Sequence, residues 1–133
     1  MIDKKEIRLG NTIRCIHHLP VGFNAPLLIH ADIGEIREYM VETADGFYKY
    51  KDIGPVPLTE DILLKTGLKK ITDTEYIFSK SDENGVDIYL IKEMNSFFLS
   101  TEKGGKYSIA IESLHQLQNL YFVLTGRELY VNL

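Results

Sequence analysis

Short apolar runs separated by turn residues occupy the first 57 residues of the chain. This pattern predicts strands at 12–18, 27–29, 36–42 and 47–50, with a hairpin turn at Asp45-Gly46. In the last of these strands, Phe47 and Lys49 alternate with Tyr48 and Tyr50. Several short strands within about 50 residues are typical of a small antiparallel β unit, and the size fits an SH3-like barrel.

A change to helical signals follows the stiff Gly-Pro-Val-Pro connector at 54–57. Thr59 is a good N-cap, because its hydroxyl can accept a free amide hydrogen of the first turn. Leu58 before this cap and Leu63 after it can form a hydrophobic staple, and Gly67 is a natural helix stop. The sequence therefore predicts a helix of about two turns after the connector.

Period-two alternation returns in the next part of the chain. Strands are predicted at 75–80, 86–92, 96–101 and 106–112. The first two flank a strong turn at 82–85, and the last two flank a second one at 102–105. We expect these strands to form a four-stranded antiparallel meander.

The segment 113–125 reads as a helix and contains no Asp, Glu, Lys or Arg, although 26% of the chain is charged. Ser113 and Gln116 have the spacing of a capping box, and Gly126 ends the helix. Residues 127–133 look extended, and a short further strand is an option there. A helix without charge is usually buried or covered by a partner.

The resulting fold class is α+β: a small N-terminal antiparallel β unit, a short helix, and a four-stranded antiparallel meander with the C-terminal helix packed on it. The 133 residues suffice for one domain. Within that domain, 1–57 and 58–133 are candidate sub-units.

Two stripes of the C-terminal helix are separable by their spacing. The first stripe is apolar and should pack on the meander: Leu114, Leu117, Leu120, Tyr121 and Leu124. The second stripe points away from it and is a candidate interaction surface: His115, Asn119 and Phe122, with Gln116 and Val123 behind. The competing interpretation is that this second face packs on the N-terminal unit or on a symmetry mate, and it is favoured because aromatic stripes on helices are mostly core.

Charge disfavours general nucleic-acid binding. The formal net charge is −4 and no basic stripe stands out, whereas affinity for nucleic acid depends on Lys and Arg at phosphates. A nucleic-acid-binding module built on the N-terminal β unit is the alternative hypothesis, motivated by Arg8, Arg14 and the Tyr48/Tyr50 pair. The two tyrosines fit a barrel wall better than a stacking platform.

An enzyme is the third hypothesis. Cys15, His17 and His30 are candidate soft or imidazole ligands, but their spacing lacks the paired motifs of zinc sites. A Cys–His dyad is equally weak, because side chains at i and i+2 rarely align as nucleophile and base. No phosphate-binding glycine motif occurs. We therefore predict no catalytic, cofactor-binding or metal-binding residue.

Features that the sequence lacks indicate the cellular compartment of the protein. Cys15 is the single cysteine, which excludes an intrachain disulfide and fits a reducing compartment. The N-terminus does not read as a signal peptide, and no apolar run approaches the roughly 20 residues of a membrane span. A cytoplasmic location is the expectation, with no membrane partner and no small-molecule ligand indicated.

Several segments together resemble a family of small uncharacterised proteins of phages, prophages and mobile elements in Bacteroides-type bacteria. They are RLGN at 8–11, PVPLTE at 55–60, LLKTGL at 63–68, HQLQNLYF at 115–122 and LTG at 124–126. Order and approximate spacing match along the whole chain, and HQLQNLYF is the most specific segment. The family has no assigned activity, so the resemblance implies a phage or prophage setting and a cytoplasmic site of action.

The leading functional hypothesis is a non-enzymatic interaction or accessory protein of a phage or mobile element. It would bind a protein partner or a second copy of itself through the second face of the C-terminal helix or through the β unit. The motivation is an uncharged helix together with the lack of a catalytic constellation in the sequence.

Overall fold

The computed structural model describes residues 2, 4–18, 27–79, 88–100, 110–131 and 133, and this part of the chain contains ten strands and two helices. The fold is α+β with mostly antiparallel sheets, and one of the sheets is a half-barrel. The chain divides into two compact units, Met1–Val56 and Pro57–Leu133. Each unit is described by itself below.

The first unit is a five-stranded sheet with the strand order β4-β3-β2-β1-β5. Its strands are β1 (Thr12–His17), β2 (Leu27–Ile36), β3 (Met40–Thr43), β4 (Gly46–Lys49) and β5 (Ile53–Gly54). Short 3-10 helices lie at Lys4–Glu6 and Tyr50–Asp52. The core between the strands includes Ile13, Cys15, Ile33, Val41 and Tyr48.

The central strand β2 is much longer than the predicted 27–29. Its N-terminal part pairs with β1, and its last residues pair with β3 after a register break between Ile33 and Glu35. The predicted strand at 36–42 is right at its two ends and wrong at 37–39, because β2 ends at Ile36 and β3 begins at Met40. Arg37 N–H donates to Met40 O at 2.9 Å and closes the turn between them, a local bond that the mixture of β-branched and polar residues does not reveal. The predicted hairpin between β3 and β4 is confirmed, with its turn at Ala44-Asp45 because Gly46 pairs with Thr43.

The second unit contains helix α1 (Glu60–Lys65), a second five-stranded sheet and helix α2 (Leu114–Thr125). The sheet has the order β10-β9-β8-β7-β6. Its strands are β6 (Lys69–Thr72), β7 (Glu75–Ser79), β8 (Ile88–Glu93), β9 (Ser96–Ser100) and β10 (Ala110–Ile111). Leu63 and Leu117 join Tyr76, Phe78 and Phe97 in the core, so both helices pack on this sheet.

This sheet has five described strands where the sequence predicts four. The additional strand β6 lies at the edge, and all four of its residues are exposed. A strand with no buried face lacks the alternation that identifies strands in a sequence. The predicted turns at 82–85 and 102–105 lie outside the described residues.

Both helix starts follow the predicted capping chemistry. Thr59 Oγ1 accepts from the amide of Ile62 at 3.2 Å, and the Gln116 side chain accepts from the amide of Ser113 at 3.3 Å. Gly126 ends α2 in the left-handed conformation with φ of 72°. No strand forms at 127–131, where Leu129 is buried and its carbonyl accepts from Gln118 Nε2 at 3.1 Å.

Candidate functional site

Helix α2 is buried at its beginning and exposed at its end. Its buried residues are Leu114, His115, Leu117 and Gln118, and none follows Gln118 along the helix. Phe122, Val123 and Leu124 are 38%, 77% and 47% exposed. The last turn of an uncharged helix therefore presents three consecutive apolar side chains at the protein surface.

The structure separates the residues of the predicted interaction surface. Gln116, Phe122 and Val123 are exposed and Asn119 is half-buried, so these four line the outer side of α2. His115 is 2% exposed, and its Nδ1 lies 3.1 Å from Ser113 Oγ in a buried contact. We name Gln116, Asn119, Phe122 and Val123 the α2 outer face.

The predicted apolar stripe holds for the first half of α2 and fails at its end. Leu114 and Leu117 are fully buried, Leu120 and Tyr121 are partly buried, and the Tyr121 ring packs edge-on against Phe78. Leu124 is instead exposed. The sheet contacts the first turns of the helix, whereas the leucine spacing continues to its last turn. Leu124 therefore lies beyond the sheet surface that buries Leu114 and Leu117.

A groove of about 360 Å³ opens on the first unit. It is lined by the end of β1, by β4 and by the 3-10 helix that follows: Ile16, His17, His18, Phe47, Tyr48, Lys49, Lys51 and Asp52. Spaces of this size are typical of small-ligand sites. The sequence does not predict this groove, because the ends of β1 and β4 are about 30 residues apart in the chain.

Hydrogen bonds fix several side chains of this groove. His17 Nδ1 lies 2.9 Å from the Tyr48 hydroxyl, and the two rings meet edge-on. His18 Nε2 lies 3.1 Å from Asp52 Oδ1, with the histidine largely exposed and the carboxylate mostly covered. Burial raises the pKa of Tyr48, and the nearby Cys15 and Asp45 add to the effect, so this phenol stays neutral.

The alternation predicted for β4 is present. Phe47 and Lys49 are exposed on one side, whereas Tyr48 is 6% exposed and belongs to the core. The Tyr50 hydroxyl donates to the carbonyl of Arg37, and Lys4 Nζ lies 5.8 Å from the centroid of the Tyr50 ring. Arg8 and Arg14 are both half-buried and do not line the groove. The exposed ring beside the groove is Phe47.

The candidate metal or dyad residues lie in different environments. Cys15 is buried in the core, and this burial raises the pKa of its thiol to about 11. His17 lines the groove, and His30 is exposed on β2. Over the described residues, no group of three or more His, Cys, Asp and Glu side chains is arranged to hold a metal ion.

A polar cluster in the second unit surrounds Glu60, the first residue of α1. Its carboxylate accepts from Lys70 Nζ at 2.6 Å and from the Tyr76 hydroxyl at 2.9 Å, and Lys92 Nζ lies 3.5 Å away. The bonds from Lys70 and Tyr76 lower the pKa of Glu60 to about 2. The cluster ties the start of α1 to the sheet, so we interpret it as structural.

Comparisons of the chain with protein-family models, with curated proteins and with solved structures gave no match. Neither helix in the described part of the chain has the length and apolar character needed to cross a membrane.

Proposed function

We propose that this chain is a non-enzymatic interaction protein of phage or mobile-element origin that self-associates through the α2 outer face. The single observation that carries this proposal is the exposure of Phe122 and Val123 on a helix without charge. Exposed apolar side chains clustered among uncharged polar ones are typical of interface cores, where charged residues are depleted.

A second copy is the favoured occupant because of charge. Every copy carries a formal net charge of −4, so two copies repel each other least where they present uncharged surfaces. Gln116 and Asn119 carry amides, which both donate and accept hydrogen bonds. Such a surface can be complementary to itself about a two-fold axis, as an isologous dimer requires.

We also propose that the N-terminal unit is an SH3-like barrel. Five short antiparallel strands, pairing of β5 with β1, and a 3-10 helix between β4 and β5 support this interpretation. The phage or mobile-element origin is supported by the segments at 8–11, 55–60 and 115–122 that resemble that family. A cytoplasmic location follows from that origin.

The experiment is a comparison of native masses by light scattering after gel filtration. Phe122→Asp together with Val123→Asp places two carboxylates on the proposed interface, and we expect this variant to be monomeric where the wild type is dimeric. Met94→Asp is the matched control, because Met94 is 90% exposed on the turn between β8 and β9 of the same unit. Equal masses for wild type and double variant, with unchanged circular dichroism, would refute the assignment.

A further inference from the structure

The groove on the first unit combines features that the α2 outer face does not share. Phe47 is 54% exposed, and it lies two residues before Lys49 on the same side of β4. Lys51 follows on the 3-10 helix, and all three side chains line the groove. An exposed ring therefore adjoins two ammonium groups in a space of small-ligand size.

The two lysines are available to a ligand. Neither the Lys49 ammonium nor the Lys51 ammonium forms a hydrogen bond or ion pair with the rest of the described chain. Among the described residues of the lining, Asp52 supplies the one carboxylate, and its Oδ1 lies 3.1 Å from His18 Nε2. The groove thus has an excess of positive charge, although the whole chain is acidic.

A cationic group lies beside the Phe47 ring. The guanidinium of Arg37 lies 5.1 Å from the centroid of Phe47, and the same guanidinium reaches Glu35 and Glu42 at 3.2 and 3.4 Å. These contacts hold Arg37 over the ring and reduce the freedom of the phenyl group. A ring fixed in this way and still half-exposed can act as a stacking surface for a flat ligand.

We propose that this groove binds a nucleotide unit of single-stranded nucleic acid, with the phosphate at Lys49 and Lys51 and the base stacked on Phe47. A phosphodiester carries one negative charge, which two ammonium groups beside the single Asp52 carboxylate can neutralise, and an exposed aromatic ring matches the face of any base. The acidic chain as a whole repels nucleic acid, so binding is weak, local and sensitive to salt. This site is on the other unit from the α2 outer face and is independent of self-association.

The test measures fluorescence anisotropy of a labelled oligothymidine of about 12 nucleotides, titrated with the full chain at salt from about 50 to about 200 mM. With one phosphate neutralised by the two lysines, the logarithm of the association constant falls with the logarithm of the salt concentration with a slope of about −0.7. We expect Lys49→Glu with Lys51→Glu to weaken binding at least about tenfold at the lowest salt. We expect Phe47→Ala to weaken it about fivefold or more, since stacking contributes about 1–3 kcal/mol per base.

The matched control is Lys65→Glu with Lys69→Glu, which makes the same charge change at two exposed lysines outside the groove. This control should bind as the wild type does. Thymidine 5′-monophosphate is added as a competitor. It distinguishes a free nucleotide from single-stranded nucleic acid as the ligand of the groove. Displacement at concentrations similar to those of the oligonucleotide assigns the site to the free nucleotide and overturns the single-strand proposal.

Three further results would overturn the proposal. They are the absence of an anisotropy change at the lowest salt, equal weakening by the two double variants, and displacement by poly-glutamate as efficient as by unlabelled oligonucleotide. Lys49→Gln with Lys51→Gln is a milder second variant, and circular dichroism checks that every variant is folded.

Discussion

The carboxylate of Glu60 accepts a hydrogen bond from the hydroxyl of Tyr76 at 2.9 Å, across 16 positions of the chain. Tyr76 is fully buried in β7, and Glu60 is the first residue of α1. The bond from Lys70 lowers the pKa of Glu60 most, followed by the bond from Tyr76, and brings it to about 2 from an ordinary value of 4.5. Desolvation and the bond to Glu60 raise the pKa of Tyr76 to about 12, so the phenol keeps the donated proton.

We predict that Glu60→Gln changes how the melting temperature of the protein depends on pH in the acid range. The pKa of Glu60 is lower in the folded state, so the unfolded state binds more protons between pH 4.5 and about 2. The contribution of the carboxylate is present above pH 4.5 and is lost as the pH falls through about 2. Melting temperatures of wild type and variant should therefore differ at pH 6 and converge near pH 2.

Asp61→Asn is the control for this prediction, because it removes a neighbouring exposed carboxylate in the same helix turn. The control also subtracts the effect of the helix dipole on charge near its N-terminus. A constant difference between wild type and Glu60→Gln over the whole acid range would contradict the account of this cluster.

The uneven burial of α2 predicts unequal effects of one substitution at two leucines of the same helix. Leu117→Ala removes a fully buried side chain and should lower the free energy of unfolding by about 2–5 kcal/mol. Leu124→Ala changes a side chain that is 47% exposed and should cost less than about 1 kcal/mol. Urea denaturation measures both. Equal costs would show that the predicted leucine stripe is buried along the whole helix.

The end of α2 depends on the backbone of Gly126. Its φ of 72° lies in the left-handed region, and an added Cβ would meet nothing within 4 Å. The cost of Gly126→Ala is therefore a backbone effect of about 1 kcal/mol. Gly126→Asn should cost less, because asparagine enters this region more readily. Thermal melts compare the two variants, and a larger cost for asparagine would indicate a steric cause instead.

Local signals in the sequence predicted the local structure well. Thr59, Gln116 and Gly126 cap the helices as their residue types require, and the expected hairpin joins β3 to β4. Capping and tight turns involve atoms within about four residues, so the sequence contains the information directly. The class α+β followed from the same signals.

Features that depend on distant residues were missed. Strand β6 is fully exposed and pairs with its neighbour without an apolar face, and β2 continues far beyond its apolar start because β1 and β3 pair with it. The groove brings His17 next to Tyr48 from two strands that are not adjacent in the sheet. The exposed end of α2 was not predicted either, because leucine spacing does not tell how far the sheet extends.

We propose that the α2 outer face joins two copies of this chain. The most direct measurement is sedimentation equilibrium of the full wild-type chain over a wide range of concentrations. We predict a concentration-dependent mass that rises from 15.2 kDa to twice that value and no further, as a closed two-fold dimer requires. A mass of 15.2 kDa at every concentration would contradict it.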